Sequence, residues 1–250
     1  MLKPDRLYTA YGVPVKEYFL TTHNPNRIQM PSVMQGKPIG VTLHNTNDIK
    51  VTNTTMSEQY TRATQNGNMG TVRVHFYVDG TEAWQNLPLD YQSWHCGQRG
   101  RSDNAKSALG NAQTISIECI MKDEKDVHSE DNAAKLIAYL LNQYDLSINN
   151  LYTHNYWCNV RNGRNGTVDE LNTWYDGYKG CPIFIRPHWY EFKTTVSNYM
   201  RQYKNTSQSE AQYIVVEQLG AYNNKENADK LLKLLREKNP DKYYKILKTR

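Results

Sequence analysis

Alternating apolar and polar positions predict the strands in the first two thirds of the chain. The segment that begins at Ile39 alternates through Val41 and Leu43 and then stops at His44, where turn-forming polar residues follow. A second alternation ends in Asp79-Gly80, a dipeptide typical of a hairpin turn. The pattern therefore predicts strands at 39–44, at 71–80 with a hairpin partner at 82–89, and at 112–121.

Apolar residues at helical spacing predict several helices. One helix covers residues 55–64 and starts near Asn53 or Thr54. A longer one is capped by Ser129 or Asp131 and carries an apolar face through Tyr144. A strand or strand end at 150–157 carries His154, and a further helix follows Pro187 and ends near residue 203.

The remaining segments are richer in Pro, Gly and Asn. We expect an N-terminal wrapping arm with little regular structure at 1–38, a long loop at 158–180 and a short polar linker at 204–212. The tail, 213–250, has the pattern of a small βαβ unit. The predicted fold class is therefore α/β, with a mixed central sheet flanked by helices in residues 1–203 and a small C-terminal βαβ unit.

Composition favours some classes of partner and cellular location over others. The 250 residues carry a net charge of +5, which favours an anionic target, but no dense basic block points to nucleic acid. No apolar run approaches a membrane helix, so we expect no membrane partner. The N-terminus lacks the pattern of a signal peptide, so we expect synthesis in the cytoplasm.

The cysteines and histidines supply candidate chemistry. The four cysteines are Cys96, Cys119, Cys158 and Cys181, without a CxxC pair, which favours thiols or metal ligands over disulfides. His44, His154 and Cys181 fall at the ends or edges of predicted elements, and three N/S ligands with one open position suit catalytic zinc. Their spacing does not establish a metal site, and on its own stretch His44 is more simply interpreted as a capped core histidine.

Seven short motifs occur in an order that resembles one enzyme family. They are VTLHNTN, VHFYVDG, SWHCG, TISIECI, DNAAKLIAYLL, LYTHNYW and KGCP, within residues 39–199. Together they resemble the zinc-dependent N-acetylmuramoyl-L-alanine amidases of the phage lysozyme and peptidoglycan-recognition type, which include phage endolysins and bacterial autolysins. The resemblance implies a Zn²⁺ cofactor, bacterial peptidoglycan as the partner, and cleavage between N-acetylmuramic acid and L-alanine of the stem peptide.

The resemblance also implies roles for individual residues. Zinc would be held by His44, His154 and Cys181, while Glu118 and Lys179 would be catalytic. The alternatives are a surface carboxylate on an edge strand for Glu118 and simple solvation for Lys179. The motifs further suggest that His75, His95 and Trp94 contact the substrate. The alternative for the two histidines is that they are hydrogen-bonded residues of the core.

Two features depart from the family pattern. Close relatives have only a few residues between the second histidine and the cysteine, whereas here 157–178 resembles an insertion and leaves Cys158 as a rival ligand. The inserted segment carries Trp174, Tyr175 and Tyr178 and would form either one wall of the substrate groove or a solvated excursion.

The tail has a resemblance of its own. Gln218, Gly220, Ala221 and Tyr222 match the opening of a SPOR domain, a module that binds peptide-free glycan strands, but only half of such a domain is present. Two tails could complete it, which predicts a homodimer.

These resemblances together predict a phage or prophage endolysin that reaches the wall after holin-type release or lysis. The alternatives are a non-catalytic peptidoglycan-binding protein on the same scaffold and a zinc amidase that acts on another acylated peptide.

Overall fold

The computed structural model describes residues 2–46, 56–209, 213–215, 221–222, 224–238 and 246–248. Two compact units divide the chain, 1–200 and 201–250. Within the described ranges, none of the helices combines the length and apolar character needed to cross a membrane.

The first unit is built on a seven-stranded mixed sheet, in the order β1-β2-β5-β4-β6-β3-β7. Strands β4, β6, β3 and β7 run parallel to one another, while the pairs β1/β2 and β4/β5 are antiparallel. The strands are β1 (Arg6–Ala10), β2 (Val13–Glu17), β3 (Gly40–Asn45), β4 (Phe76–Val78), β5 (Ala83–Gln85), β6 (Thr114–Cys119) and β7 (Leu151–Thr153).

Helices cover the sheet, and two short 3₁₀ turns lie at Ile148–Asn150 and Arg186–His188. The helices are α1 (Met56–Gln65), α2 (Leu109–Gln113), α3 (Val127–Gln143), α4 (His154–Arg161), α5 (Val168–Thr173) and α6 (Trp189–Ser209). The main apolar core lies between α3, α6 and one face of the sheet, to which β3 contributes Val41 and Leu43, and β6 contributes Ile115 and Ile117. The residues that alternate with these point to the opposite face. That face carries the site described below.

A close approach between strands explains one glycine. Gly40 opens β3, and a Cβ there would collide with the carbonyl oxygen of Asn150 and the ring of Tyr152. Any other residue at position 40 would push β7 away from β3. The glycine therefore allows the parallel pairing that brings the ends of these two strands together.

The predicted α/β class is confirmed, and several boundaries are corrected. Residues 1–38 were expected to have little regular structure, but they contain β1 and β2, which join the sheet through β5. The chain reverses at Tyr11-Gly12, where both residues have positive φ. The expected long loop at 158–180 was also wrong, because α4 continues to Arg161 and α5 follows.

Helix ends differ from prediction as well. Helix α3 begins at Val127, so Ser129 and Asp131 lie inside it rather than at its cap. Helix α6 continues to Ser209, so the first part of the predicted linker is helical. The predicted start of α1, near Asn53 or Thr54, lies outside the described residues.

In the second unit, β8 (Tyr213–Val215), β9 (Ala221–Tyr222) and β10 (Ile246–Lys248) form an antiparallel sheet in the order β10-β8-β9. Helix α7 (Lys225–Lys238) lies between β9 and β10 in sequence. The predicted strand–helix–strand order is thus present, with one further short strand. Gln218 and Gly220 of the SPOR-like motif lie outside the described residues, and that resemblance stays a prediction.

Candidate metal and catalytic site

The site starts from the register of three neighbouring parallel strands. His44 on β3 is paired with Glu118 on β6, and Glu118 is paired with Tyr77 on β4. Side chains at paired positions point to the same face of a sheet. These three residues therefore form a row at the carboxyl ends of the strands, on the face away from α3.

The second histidine follows from the same register. Leu43 is paired with Thr153, the last residue of β7, so the next residue, His154, lies beside His44. His154 is the first residue of α4, whose N-terminus is capped by the Thr153 hydroxyl accepting from the backbone N–H of Tyr156 at 2.9 Å. The ring centroids of His44 and His154 are 4.9 Å apart.

Cys181 reaches the same place from the segment after α5. The backbone N–H of Asn155 donates to the carbonyl oxygen of Cys181 at 2.9 Å, which ties this segment to the start of α4. The Sγ atom of Cys181 is 3.6 Å from Nδ1 of His44. The cysteine is thus held against both histidines by backbone contacts, although it lies far from them in sequence.

The donor atoms of His44, His154 and Cys181 all lie within 4.8 Å of one another. Tetrahedral zinc bonds of ordinary length place a nitrogen and a sulfur ligand about 3.5 Å apart, close to the separation of His44 and Cys181. Two imidazoles and one thiolate, with a fourth position left for water, are a donor set that suits catalytic zinc. The residues therefore fit a zinc ion.

Cys158, the rival ligand, does not belong to this group. It lies within α4 and is buried, and its Sγ accepts a long contact from Nη1 of Arg161 at 3.8 Å. Arg161 also forms an ion pair with Asp103 and donates to the carbonyl oxygen of Cys96. The structure thus places Cys158 one helical turn after His154, in contact with Arg161 and outside the group of converging donor atoms.

Hydrogen bonds select the histidine tautomers that a metal needs. Nε2 of His154 lies 3.1 Å from the carbonyl oxygen of Gly97, an acceptor only, so Nε2 carries the proton and Nδ1 keeps its lone pair. Nε2 of His95 likewise donates to the carbonyl oxygen of Gly110 at 3.0 Å. Nδ1 of His95 then accepts from Nε2 of His44 at 2.7 Å, which leaves Nδ1 of His44 free to bind a cation.

A buried chain of hydroxyl groups leads to the Gly110 carbonyl oxygen that also accepts from His95. Nε1 of Trp157 donates to the Thr42 hydroxyl at 2.9 Å, which lies 2.7 Å from the Thr114 hydroxyl. Because a carbonyl oxygen can only accept, Thr114 donates its single proton to Gly110, and Thr42 must then donate to Thr114. The chain therefore has one direction throughout. Sequence reasoning missed this network, whose only signal is two threonines that alternate with the apolar residues of two predicted strands.

Burial sets the charge states of the ligands. It lowers the pKa of His44 and of His154 well below the usual range, so both rings are neutral, which is the form that binds metals. Burial also raises the pKa of the Cys181 thiol to about 12, with Glu118 as a further cause. A bound dication would favour the thiolate and offset this cost.

Glu118 lies beside the ligands, with Oε2 3.9 Å from Nδ1 of His44. Its strand is central, between β4 and β3, so the edge-strand alternative is wrong. Burial raises the pKa of Glu118 to about 8, and the charge of Lys179 opposes that rise. Lys179 is half-buried and lines the same cleft. Both predicted catalytic residues are therefore beside the candidate metal site.

The site opens into a cleft of about 870 Å³. Trp94 and His95, two of the predicted substrate contacts, line it together with Tyr60 and Tyr77. His95 nevertheless uses both ring nitrogens inside the protein, which makes it a support for His44 rather than a free contact for substrate.

His75 is not in the cleft. It is fully buried, with Nδ1 accepting from the backbone N–H of Ser116 and Nε2 donating to the carbonyl oxygen of Tyr91. The prediction that His75 contacts the substrate is therefore wrong, and the alternative, a hydrogen-bonded core histidine, describes this residue.

Comparison with known proteins identifies the family. The profile of the N-acetylmuramoyl-L-alanine amidase family called Amidase_2 matches residues 34–171, more than half of the chain. The chain belongs to this family. The match contains His44, Glu118 and His154 and ends before Lys179 and Cys181.

Individual relatives carry the same description. The chain is 32% identical over 143 residues to the N-acetylmuramoyl-L-alanine amidase XlyA of Bacillus subtilis, covering 57% of this chain and 43% of that protein. It is 26% identical over 199 residues to CwlH, an amidase of the same organism, covering 79% of this chain and 66% of that protein. The chain thus spans roughly half to two thirds of these curated relatives.

A solved structure confirms the fold. A mutant endolysin from Bacillus subtilis superposes with a TM-score of 0.54 at 26% identity, covering 74% of this chain and 99% of that one. The mixed sheet flanked by helices is therefore the amidase fold, as predicted.

Proposed function

We propose that this protein is a zinc-dependent peptidoglycan hydrolase that cleaves the amide bond between the lactyl group of N-acetylmuramic acid and L-alanine of the stem peptide. One observation carries the proposal. The donor atoms of His44, His154 and Cys181 converge within 4.8 Å in a cleft that also holds Glu118 and Lys179, in a chain that belongs to an amidase family.

The three ligands would hold zinc through Nδ1 of each histidine and Sγ of the cysteine. Bound zinc would acidify a water molecule and polarise the carbonyl of the scissile amide. The hydrogen bonds of the two Nε2 atoms, to Gly97 and to His95, keep the rings oriented for this task.

Glu118 is suited to move the proton. Its carboxylate accepts a proton from the attacking water and returns it to the nitrogen of L-alanine when the C–N bond breaks. The products are a carboxylate on the muramic acid side and a free amino terminus on the peptide side. A pKa raised to about 8 suits the second step, because the protonated acid is then stable enough to act as a donor near neutral pH.

Lys179 is suited to stabilise charge. Its electrostatic influence extends to His44, Glu118, His154 and Cys181. An ammonium group there would favour the negative oxygen that develops on the carbonyl during attack. The same charge opposes the rise in the pKa of Glu118, which favours the carboxylate needed for the first step.

Relatives described as endolysins support a role in wall lysis, and we propose that role for this chain, in phage or prophage release. The tail is proposed to bind the glycan or to pair with a second copy. Light scattering on the size-separated full chain tests the pairing, and a strict monomer argues against it.

The test of the reaction is digestion of purified peptidoglycan, with and without a chelator, followed by mass spectrometry of the new ends. Free L-alanine amino termini that disappear on chelation and return with zinc are expected. New reducing sugar ends would instead identify a glycosidase. Wall binding without cleavage would favour the non-catalytic peptidoglycan-binding alternative.

A further inference from the structure

Three aromatic side chains are exposed in the segment that directly precedes Lys179 and Gly180 of the cleft. Trp174 is 52% exposed, Tyr175 48% and Tyr178 56%, and all belong to the short segment 174–178. Single exposed aromatics are ordinary on protein surfaces, but three within five residues form a local apolar surface that calls for a partner. We call this segment the aromatic ridge.

The ridge is held in place by buried and charged groups. The carbonyl oxygen of Trp174 accepts from the side-chain amides of Asn155 and Asn159, both of which are buried in α4. The guanidinium of Arg164 lies 4.5 Å from the centre of the Trp174 ring and also pairs with Asp176 at 3.2 Å. The ring is therefore supported on one face, and its exposed area lies elsewhere.

Tyr175 is supported in the same way. The guanidinium of Arg186 lies 4.5 Å from the centre of its ring and donates to the carbonyl oxygens of Gly180 and Thr173 at 3.2 Å each. Exposed rings that are fixed before binding lose little conformational entropy when a ligand arrives.

The ridge connects two depressions of the surface. At one end, Tyr175 lies against Gly180, where an added Cβ would be 3.2 Å from the tyrosine ring, and Gly180 lines the active cleft. At the other end, Trp174 lines a separate depression of about 340 Å³ with Arg164, Asn165, Glu170 and Leu171. The ridge thus continues the active cleft outward.

We propose that the aromatic ridge and its outer depression bind sugar rings of the peptidoglycan glycan strand, beyond the muramic acid whose amide is cut. This inference rests on the proposed function. A pyranose ring offers a face of C–H groups to an aromatic ring and hydroxyl and amide groups at its edge. The depression combines an aromatic ring with amide, carboxylate and guanidinium groups, which meets both needs.

Charge favours a sugar over an anionic wall polymer. The cations along the ridge are already engaged, Arg164 with Asp176 and Arg186 with backbone carbonyl oxygens. Two acidic side chains, Asp176 on the ridge and Glu170 in the depression, offset the charge of these two arginines. A polyanion would need a surplus of basic groups, which the ridge does not present.

Kinetics on two substrates test the proposal. Trp174→Ala and Tyr178→Ala are expected to raise KM for polymeric peptidoglycan by about tenfold, because truncation of an aromatic side chain that contacts the substrate weakens its binding. Both variants should cleave a single N-acetylmuramoyl peptide as the parent does. Tyr190→Ala removes an equally exposed tyrosine of α6 and serves as the control that changes neither. Equal losses on both substrates, or no loss on the polymer, would overturn the proposal.

A binding measurement separates this proposal from the proposed function. The indole N–H signal of Trp174, assigned with Trp174→Phe, is followed by NMR in metal-free protein while an oligomer of N-acetylglucosamine is added. A saturable shift of this signal, without hydrolysis in the first assay, would retain the ridge and reject the amidase. Hydrolysis with no shift would reject the ridge and retain the amidase. A shift with stem peptide or with anionic wall polymer, and none with the sugar, would also overturn the ridge proposal.

Discussion

Glu118 and His44 are paired on neighbouring parallel strands, and 3.9 Å separates Oε2 of the glutamate from Nδ1 of the histidine. The backbone hydrogen bonds of β3 and β6 therefore set the distance between the candidate base and a candidate metal ligand. A slip of one residue between these strands would turn one of the two side chains into the core. The buried alternation of both strands makes such a slip costly.

The cysteine ligand is tested by exchanging one sulfur at a time. Cys181→Ser should lose bound zinc and amidase activity together, because a hydroxyl is a poor substitute for the thiolate. Zinc content by mass spectrometry and peptidoglycan turnover are the two measurements. Cys158→Ser is the matched control and should keep both. Loss of metal in Cys158→Ser with retention in Cys181→Ser would show that the wrong cysteine was chosen.

Glu118→Gln separates proton transfer from metal binding. The amide keeps the size of the side chain but cannot take the proton from water, so kcat should fall by about 10²–10⁴-fold. Zinc content should stay at the parental value, since Glu118 is outside the ligand group. Glu191→Gln, an exposed change on α6, is the control. Parental turnover in Glu118→Gln would remove Glu118 from the proposed mechanism.

Lys179→Met tests stabilisation of the oxyanion. Removal of the charge should lower kcat by about 10²–10³-fold, the usual effect of deleting one such group, while zinc remains bound. Single-turnover assays at saturating substrate report this step. Lys106→Met replaces an exposed lysine that does not line the cleft and should be neutral. A similar activity in both variants would leave Lys179 with a solvated role only.

His95→Ala tests the support of the first ligand. Without the acceptor at His95, His44 loses the bond that fixes its tautomer, and zinc affinity should fall by about 10–100-fold. Competition with a chromophoric chelator gives the dissociation constant without an activity assay. His75→Gln, another buried histidine exchange that does not touch the ligands, should leave the zinc affinity unchanged. Equal affinities in His95→Ala and the parent would reduce His95 to a packing role.

The core position of His75 predicts a pH effect on stability. Burial lowers its pKa in the folded protein to about 4, against about 6.5 in an unfolded chain. Below about pH 6.5 His75 is protonated in the unfolded state but stays neutral in the folded state. The free energy of unfolding therefore falls as the pH drops from about 6.5 to about 4. The loss from His75 alone should be on the order of 1 kcal/mol between about pH 7.5 and pH 5.5.

Urea unfolding at the two pH values measures this loss. Other buried histidines contribute to the parental curve, so the relevant quantity is the difference between the parent and His75→Gln. Glutamine can donate to Tyr91 and accept from Ser116, and it does not titrate. An identical pH dependence in both proteins would contradict the predicted shift.

The sequence predicts the positions of the candidate site residues on their strands better than it predicts the segments that pack around them. Strands β3 and β6 carry strict alternation, and alternation assigns Glu118 to the face opposite Ile117 without any knowledge of neighbours. The contact between His44 and His95 depends instead on how distant segments meet, and no local pattern encodes that. Helix α5 was missed although Thr167 and Glu170 form a capping box at its start, since the surrounding Gly and Asn residues resemble a loop.

The three ligands come from parts of the chain that are far apart, and His44 and Cys181 are separated by 137 in residue number. A metal held by all three would close a loop of that length, much as a crosslink does, and would do so only in the folded chain. Apparent stability would then rise with the logarithm of free metal concentration. The melting temperature of this protein would therefore depend on the concentration of free zinc, and the folded fraction of the chain would be larger in zinc-rich than in zinc-poor surroundings.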